Sequence, residues 1–107
     1  MSNSQPSERE LLNTVLKPLL EDFQYWFSRA CTLLEKEPLS FLSPEEQSNL
    51  LQRVKQAQQE VTAAQMIFQA TDGQAGIEAS MLVPWHKLVA ECWQVSMRLR
   101  SLKQEQG

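Results

Sequence analysis

Apolar residues recur at alternating steps of four and three along three stretches of this chain, a spacing that collects them on one face of an α-helix. We call each series a seam. The seams are Leu12, Leu16, Leu19, Phe23, Trp26, Ala30, Leu33; Leu50, Val54, Ala57, Val61, Ala64, Phe68; and Met81, Trp85, Leu88, Cys92, Val95, Leu99, Leu102. Three seams of similar length predict three long amphipathic helices and an all-α fold.

Capping residues set the expected helix ends. Ser7 with Glu10 and Ser43 with Glu46 each match a capping box, in which the serine oxygen and the glutamate satisfy backbone N–H groups of the first turn. Gly73 suits the left-handed position after the second helix. The predicted helices cover about residues 8–36, 44–71 and 77–102.

Two prolines lie inside the expected helices. Pro18 lacks the N–H of a helical residue, so a kink or a break is expected there. Because the first seam keeps its register through Pro18, we favour one kinked helix over two separate ones. Pro84 either opens the third helix or kinks it after one turn. A full break at one or both prolines would give four or five helices.

Short connections between the helices predict an antiparallel up-down-up bundle within a single domain, residues 1–107. We expect disorder at residues 1–7 and 103–107. Apolar residues also flank the seams, at Leu11, Val15, Leu20, Phe27, Leu34, Leu51, Ile67, Val89, Trp93 and Met97. An apolar stripe wider than one neighbouring helix covers could also bury an interface with a second copy of the chain, so a homodimer stays an open alternative.

Composition narrows the function classes. The 107 residues carry 10 basic and 13 acidic side chains, a net charge of -3 that argues against a nucleic-acid partner. No apolar run approaches the length of a membrane span, although peripheral membrane contact stays open. The absence of a signal-like start predicts a cytoplasmic protein, in which Cys31 and Cys92 are buried, reduced thiols.

The chain offers little for catalysis. His86 is its one histidine, which excludes a histidine pair for a metal or an acid–base relay. No glycine-rich turn presents Cys31 as a nucleophile that His86 could activate. We therefore expect a protein that is not an enzyme and that uses no cofactor.

The expected function is protein–protein interaction or assembly through an exposed helical face, with another protein or a second copy as the partner. Tyr25, Trp93 and Arg98 are the candidate contacts. The alternative is a bundle that binds a pigment, haem or lipid near Trp85, His86 and Cys92.

Two further groups of polar residues have ordinary explanations. Cations at Arg98, Arg100 and Lys103 suit the C-terminal end of a helix dipole. The second helix is rich in glutamine, a good helix former in water, although a polar interaction surface is the alternative reading. These glutamines are Gln47, Gln52, Gln56, Gln58, Gln59, Gln65 and Gln69.

The segments LLNTVLKPLLEDFQYWFSRACTLLE, FLSPEEQSNLLQRVKQAQQEVTAAQ and PWHKLVAECWQ together resemble a family of small uncharacterised helical proteins of cyanobacteria, a domain of unknown function. The resemblance covers residue 11 to about residue 100. It implies a cytoplasmic cyanobacterial protein near the photosynthetic machinery. It implies no functional residues.

Overall fold

The computed structural model describes residues 8–72 and 79–106, and three helices account for most of them. They are α1 (Glu8–Lys36), α2 (Pro44–Ala70) and α3 (Ala79–Gln106). The all-α prediction is confirmed. None of the described helices has the length and apolar character that crossing a membrane requires.

Side-chain contacts between the helices define an up-down-up arrangement. Lys55 of α2 pairs with Glu35 near the end of α1, while Gln65 lies against Gln24, so α1 and α2 run antiparallel. Phe23 and Trp26 of α1 contact Trp85 and Trp93 of α3, respectively, in the same order along both helices, so α1 and α3 run parallel.

Both internal prolines are accommodated within continuous helices. α1 runs unbroken through Pro18, as the continuous seam predicted, and the two-helix alternative is wrong. α3 begins at Ala79 and passes through Pro84, so Pro84 does not open it. At its other end α3 extends to Gln106, beyond the predicted end at residue 102 and into a segment expected to be disordered.

The core lies between the three helices, and α1 packs mostly against α2. Every residue of the α2 seam is buried. On α1 the buried line is rotated by part of one residue step. Leu16, Phe23 and Ala30 of the seam are buried, but Leu20, Phe27 and Leu34 are buried in place of their seam neighbours Leu19, Trp26 and Leu33, which are partly exposed. The rotation leaves Trp26 and Leu33 at the edge of the core, facing the side on which α3 lies.

Burial along α3 decreases toward its C-terminus. Trp85, Leu88 and Cys92 are buried, but Val95 and Leu99 are only partly covered. The C-terminal half of α3 is therefore covered less completely by the other two helices than its N-terminal half.

The ends of α2 differ in how well the sequence predicted them. At its start the capping box is present, since Ser43 Oγ accepts from the Glu46 backbone N–H at 3.0 Å and Glu46 Oε1 accepts from the Ser43 N–H at 2.8 Å. At its end Asp72 adopts the left-handed conformation with φ 54°, one residue before the glycine expected there. Gly73 and the predicted Ser7 box lie outside the described residues.

Gln47 is the buried polar side chain of the described core, which contradicts an exposed position on the outer face of α2. Its Nε2 donates to the carbonyl oxygens of Leu34 and Glu37, each at 2.9 Å. Its Oε1 accepts from the backbone N–H of Leu39 at 2.9 Å. This one amide caps the end of α1 and anchors the α1–α2 loop, where Leu39 is itself part of the core.

A second polar cluster lies within the α1–α2 interface. Gln24 Nε2 lies within hydrogen-bonding distance of the Gln58 carbonyl oxygen (3.4 Å), the Thr62 hydroxyl and the Gln65 amide oxygen (3.1 Å). The Cys31 thiol approaches Gln58 Oε1 at 3.5 Å. Gln58 and Gln65 are half-buried and join the two helices, while Gln52, Gln56, Gln59 and Gln69 face solvent.

Candidate functional site

An open groove of ≈ 860 Å³ runs between α1 and the C-terminal half of α3, and we call it the α1–α3 groove. It lies where α3 is least covered. Its lining residues are Trp26, Arg29, Ala30, Leu33, Cys92, Trp93, Ser96, Met97, Leu99, Arg100, Lys103 and Gln104. Apolar side chains make up most of its surface, and Trp93 and Met97 remain 47% and 68% exposed.

Three aromatic rings follow one another at one end of the groove. The ring of Trp26 lies edge-on to Trp93, with centroids 5.3 Å apart, and edge-on to Tyr25 at 5.1 Å. Arg29 donates to the Tyr25 hydroxyl at 2.9 Å and lies over the Tyr25 ring. These contacts fix the position of Trp26 and Tyr25 while half of the Trp93 side chain stays accessible.

The charged residues that line the groove are all cations. Arg29 comes from α1, and Arg100 and Lys103 come from the last turns of α3. None of the described residues that line it is a carboxylate, although the whole chain has a net charge of -3. The groove therefore combines an apolar surface with a local positive charge, opposite in sign to the chain as a whole.

The three predicted partner contacts lie in two places. Tyr25 and Trp93 each contact the ring of Trp26, beside the groove. Arg98 points to the other side of α3, where its guanidinium lies 5.3 Å from the centroid of the Phe41 ring. It lines a separate recess with Arg53 and Glu91.

The three predicted ligand contacts do not form one site either. Trp85 is 2% exposed and donates from Nε1 to Glu60 Oε1 at 3.0 Å, so the one polar atom of its side chain already has a hydrogen-bond partner. His86 is exposed, and its ring lies edge-on to Phe23 with centroids 5.0 Å apart. All three of these residues lie in the described part of the chain, and of the three only Cys92 lines the α1–α3 groove.

Both cysteines are free thiols in the core. Burial, with smaller contributions from Glu91 and Cys31, raises the pKa of Cys92 to about 11. Burial, followed by the charge of Glu35, also raises the pKa of Cys31. A raised pKa suppresses the thiolate, so neither environment activates a nucleophile. Within residues 8–72 and 79–106, no three histidine, cysteine or acidic side chains are grouped as metal ligands would be.

Most of the groove was not predicted from the sequence. Met97 flanks the third seam, a position that predicts a wider core, and no sequence pattern marks Arg29 as part of a binding surface. Arg100 and Lys103 belong to the basic cluster that the helix dipole already explained. The available signal was their spacing: Trp93, Met97, Arg100 and Gln104 follow steps of four, three and four along α3, and so share one face.

The fold and site together define a class, a three-helix bundle with an apolar, positively charged groove open along the parallel α1–α3 pair. Within that class the chain belongs to the family described as protein of unknown function (DUF2605), whose model matches residues 6–101. No curated protein and no solved structure matches the chain.

Proposed function

We propose that this chain is a non-enzymatic protein-interaction module that binds an amphipathic helix in the α1–α3 groove. The observation that carries the proposal is the exposure of Trp93 and Met97, at 47% and 68%, on a groove already lined by Trp26 and Leu33. Covering these side chains would remove apolar surface from water at about 25 cal/mol per Å².

The geometry favours a helix that runs antiparallel to both walls. α1 and α3 are parallel, so their partly negative C-terminal ends lie at the same end of the groove. An antiparallel helix places its partly positive N-terminus there and completes a four-helix arrangement. Acidic side chains are frequent in the first turn of a helix, and here they would meet Arg100 and Lys103.

The setting of this interaction is also part of the proposal. The resemblance of the sequence to a cyanobacterial family supports a cytoplasmic assembly linked to photosynthetic physiology. A pigment, haem or lipid bound near Trp85, His86 and Cys92 receives less support, because Trp85 is buried against Glu60 and His86 lies apart from the groove.

The test is titration with a synthetic amphipathic peptide that carries leucines at four-three spacing and glutamates in its first turn. Binding should shift the emission of Trp93 to shorter wavelength, because the indole leaves water. The same peptide with lysines in its first turn should bind about tenfold more weakly. No change in emission with either peptide would refute helix binding in the groove.

A pair of matched variants locates the binding. Met97→Glu should abolish the response to the glutamate peptide, because it introduces a like charge into the groove. Met66→Glu is the control, since Met66 lies on α2 and is 65% exposed against 68% for Met97. Equal loss of binding in the two variants would contradict docking at the groove.

A further inference from the structure

One line of α1 residues lies outside the core or at its edge along nearly the whole helix, and we call it the outer α1 stripe. Its members follow steps of three and four: Leu11, Val15, Pro18, Asp22, Trp26, Arg29 and Leu33. Leu11 and Val15 are 52% and 58% exposed near the N-terminal end of the stripe. At its other end Trp26, Arg29 and Leu33 form the α1 wall of the groove.

The stripe therefore contains both an unpartnered apolar helical segment and half of a groove suited to receive one. We propose that the helix bound in the α1–α3 groove is the N-terminal half of α1 from a second copy of this chain. This inference rests on the proposed function and names its partner. The result is a symmetric homodimer in which α1 packs antiparallel against α1.

Symmetry and orientation agree in this arrangement. A two-fold axis perpendicular to α1 places the two copies of α1 antiparallel, and each copy then contributes the same surface to the interface. The orientation is also the one that the parallel α1–α3 walls favour. With the axis between Asp22 and Trp26, Val15 of one copy lies opposite Leu33 of the other, and Leu11 lies near the end of the second copy's α1.

Charge complementarity favours the same occupant. Residues 8–22 contain four carboxylates and two cations, whereas the groove presents Arg29, Arg100 and Lys103. Antiparallel packing brings the acidic half of each α1 to the basic groove of the other copy. Asp22 then lies about one helical turn from Arg29 of the second copy.

Sedimentation equilibrium of the full chain, over a range of concentrations, tests the dimer. We expect a reversible monomer–dimer equilibrium whose dissociation constant rises with salt. Val15→Glu and Met97→Glu should each raise that constant about tenfold or more, because each places a carboxylate in the apolar contact. The exposed control Met66→Glu should leave it unchanged. Circular dichroism checks that all three variants keep their helices.

Mixing variants distinguishes this interface from other modes of association. A mixed dimer of Val15→Glu with Met97→Glu keeps one of the two symmetric contacts intact, between the unaltered groove of the first and the unaltered α1 of the second. Energy transfer between labelled copies should therefore show the mixed dimer forming more tightly than either variant does alone. A mixed dimer no tighter than the variants alone overturns the symmetric arrangement.

The proposed function and this inference can fail separately. A chain that stays monomeric at every concentration, yet binds the glutamate peptide in a manner lost in Met97→Glu, retains the helix-binding function and rules out the second copy. If the dimer forms, the same peptide should dissociate it by competing for the groove. Failure of both dimerisation and peptide binding overturns both.

Discussion

The amide of Gln47 on α2 donates to the carbonyl oxygen of Leu34 on α1 at 2.9 Å, inside the protein. The same side chain bonds Glu37 and Leu39, so three backbone groups depend on it. The last turn of a helix leaves carbonyl oxygens without helical partners, and burial makes such groups costly unless they are bonded.

Replacing Gln47 should therefore cost more than its size suggests. We expect Gln47→Ala to lower the free energy of unfolding by about 2–4 kcal/mol, because it leaves buried backbone groups unpaired and opens a cavity. Urea denaturation followed by circular dichroism measures the change. The control Gln52→Ala, at an exposed position of α2, should fall within about 0.5 kcal/mol of the unaltered chain. Equal effects at the two positions would contradict the capping role.

The buried and exposed tryptophans should respond differently to truncation. Trp85→Ala removes a side chain that is 2% exposed and packs edge-on against Phe23 at 5.5 Å, and it should cost about 3–5 kcal/mol. Trp93→Ala removes a half-exposed ring that keeps one edge contact with Trp26, and it should cost about 1 kcal/mol. Thermal unfolding of the two variants measures both losses of stability. A larger loss at position 93 would place Trp93 in the core instead of the groove.

Acid should weaken the contact between α2 and α3. Arg53 forms two hydrogen bonds with Glu91, at 2.9 and 3.0 Å, and this pairing lowers the pKa of Glu91 from its ordinary value of 4.5. Because the folded pKa lies below the unfolded one, the stabilisation is complete above pH 4.5 and is lost as the pH falls through the folded pKa.

The variant Glu91→Gln isolates this effect. Its loss of stability relative to the unaltered chain should be constant above pH 4.5 and shrink at lower pH, as measured by urea denaturation across that range. In an Arg53→Gln background the same substitution should show little dependence on pH. A difference that grows toward acid would have the wrong sign for this ion pair.

The thiols should be slow to react in the folded protein. With the pKa of Cys92 at about 11, its thiolate amounts to about one part in a thousand at pH 8. Modification by a disulfide reagent should speed up steeply with pH and with added urea, and Cys31→Ser should leave a single slow phase. Rapid labelling of Cys92 under native conditions would contradict its burial.

The helices were predictable because the four-three spacing and the Ser43 capping box act locally. The rotation of α1 was not, since Leu19 and Leu20, or Trp26 and Phe27, satisfy the same periodicity. Packing against α2 selects Leu20 and Phe27 for the core. Periodicity identifies a helix, and its neighbours determine which edge of the apolar face is covered.

The candidate site followed less from the sequence than the fold did. Tyr25 and Trp93 could be singled out as candidate contacts, but their connection through Trp26 depends on the parallel placement of α1 and α3. Gln47 shows the same limit, because its sequence context resembles that of the exposed glutamines of α2. Tertiary position alone makes it a cap.

The polar cluster at Gln24 has a consequence for how the first two helices align. A shift of α1 by seven residues along α2 would exchange Val54 for Val61 and Ala57 for Ala64 without changing residue type, although it would also exchange Leu50 for Ala57 and Val61 for Phe68. Such a slipped alignment would move Gln24 away from its partners at Gln58, Thr62 and Gln65. These hydrogen bonds thus act together with the apolar packing to select one register of α1 against α2.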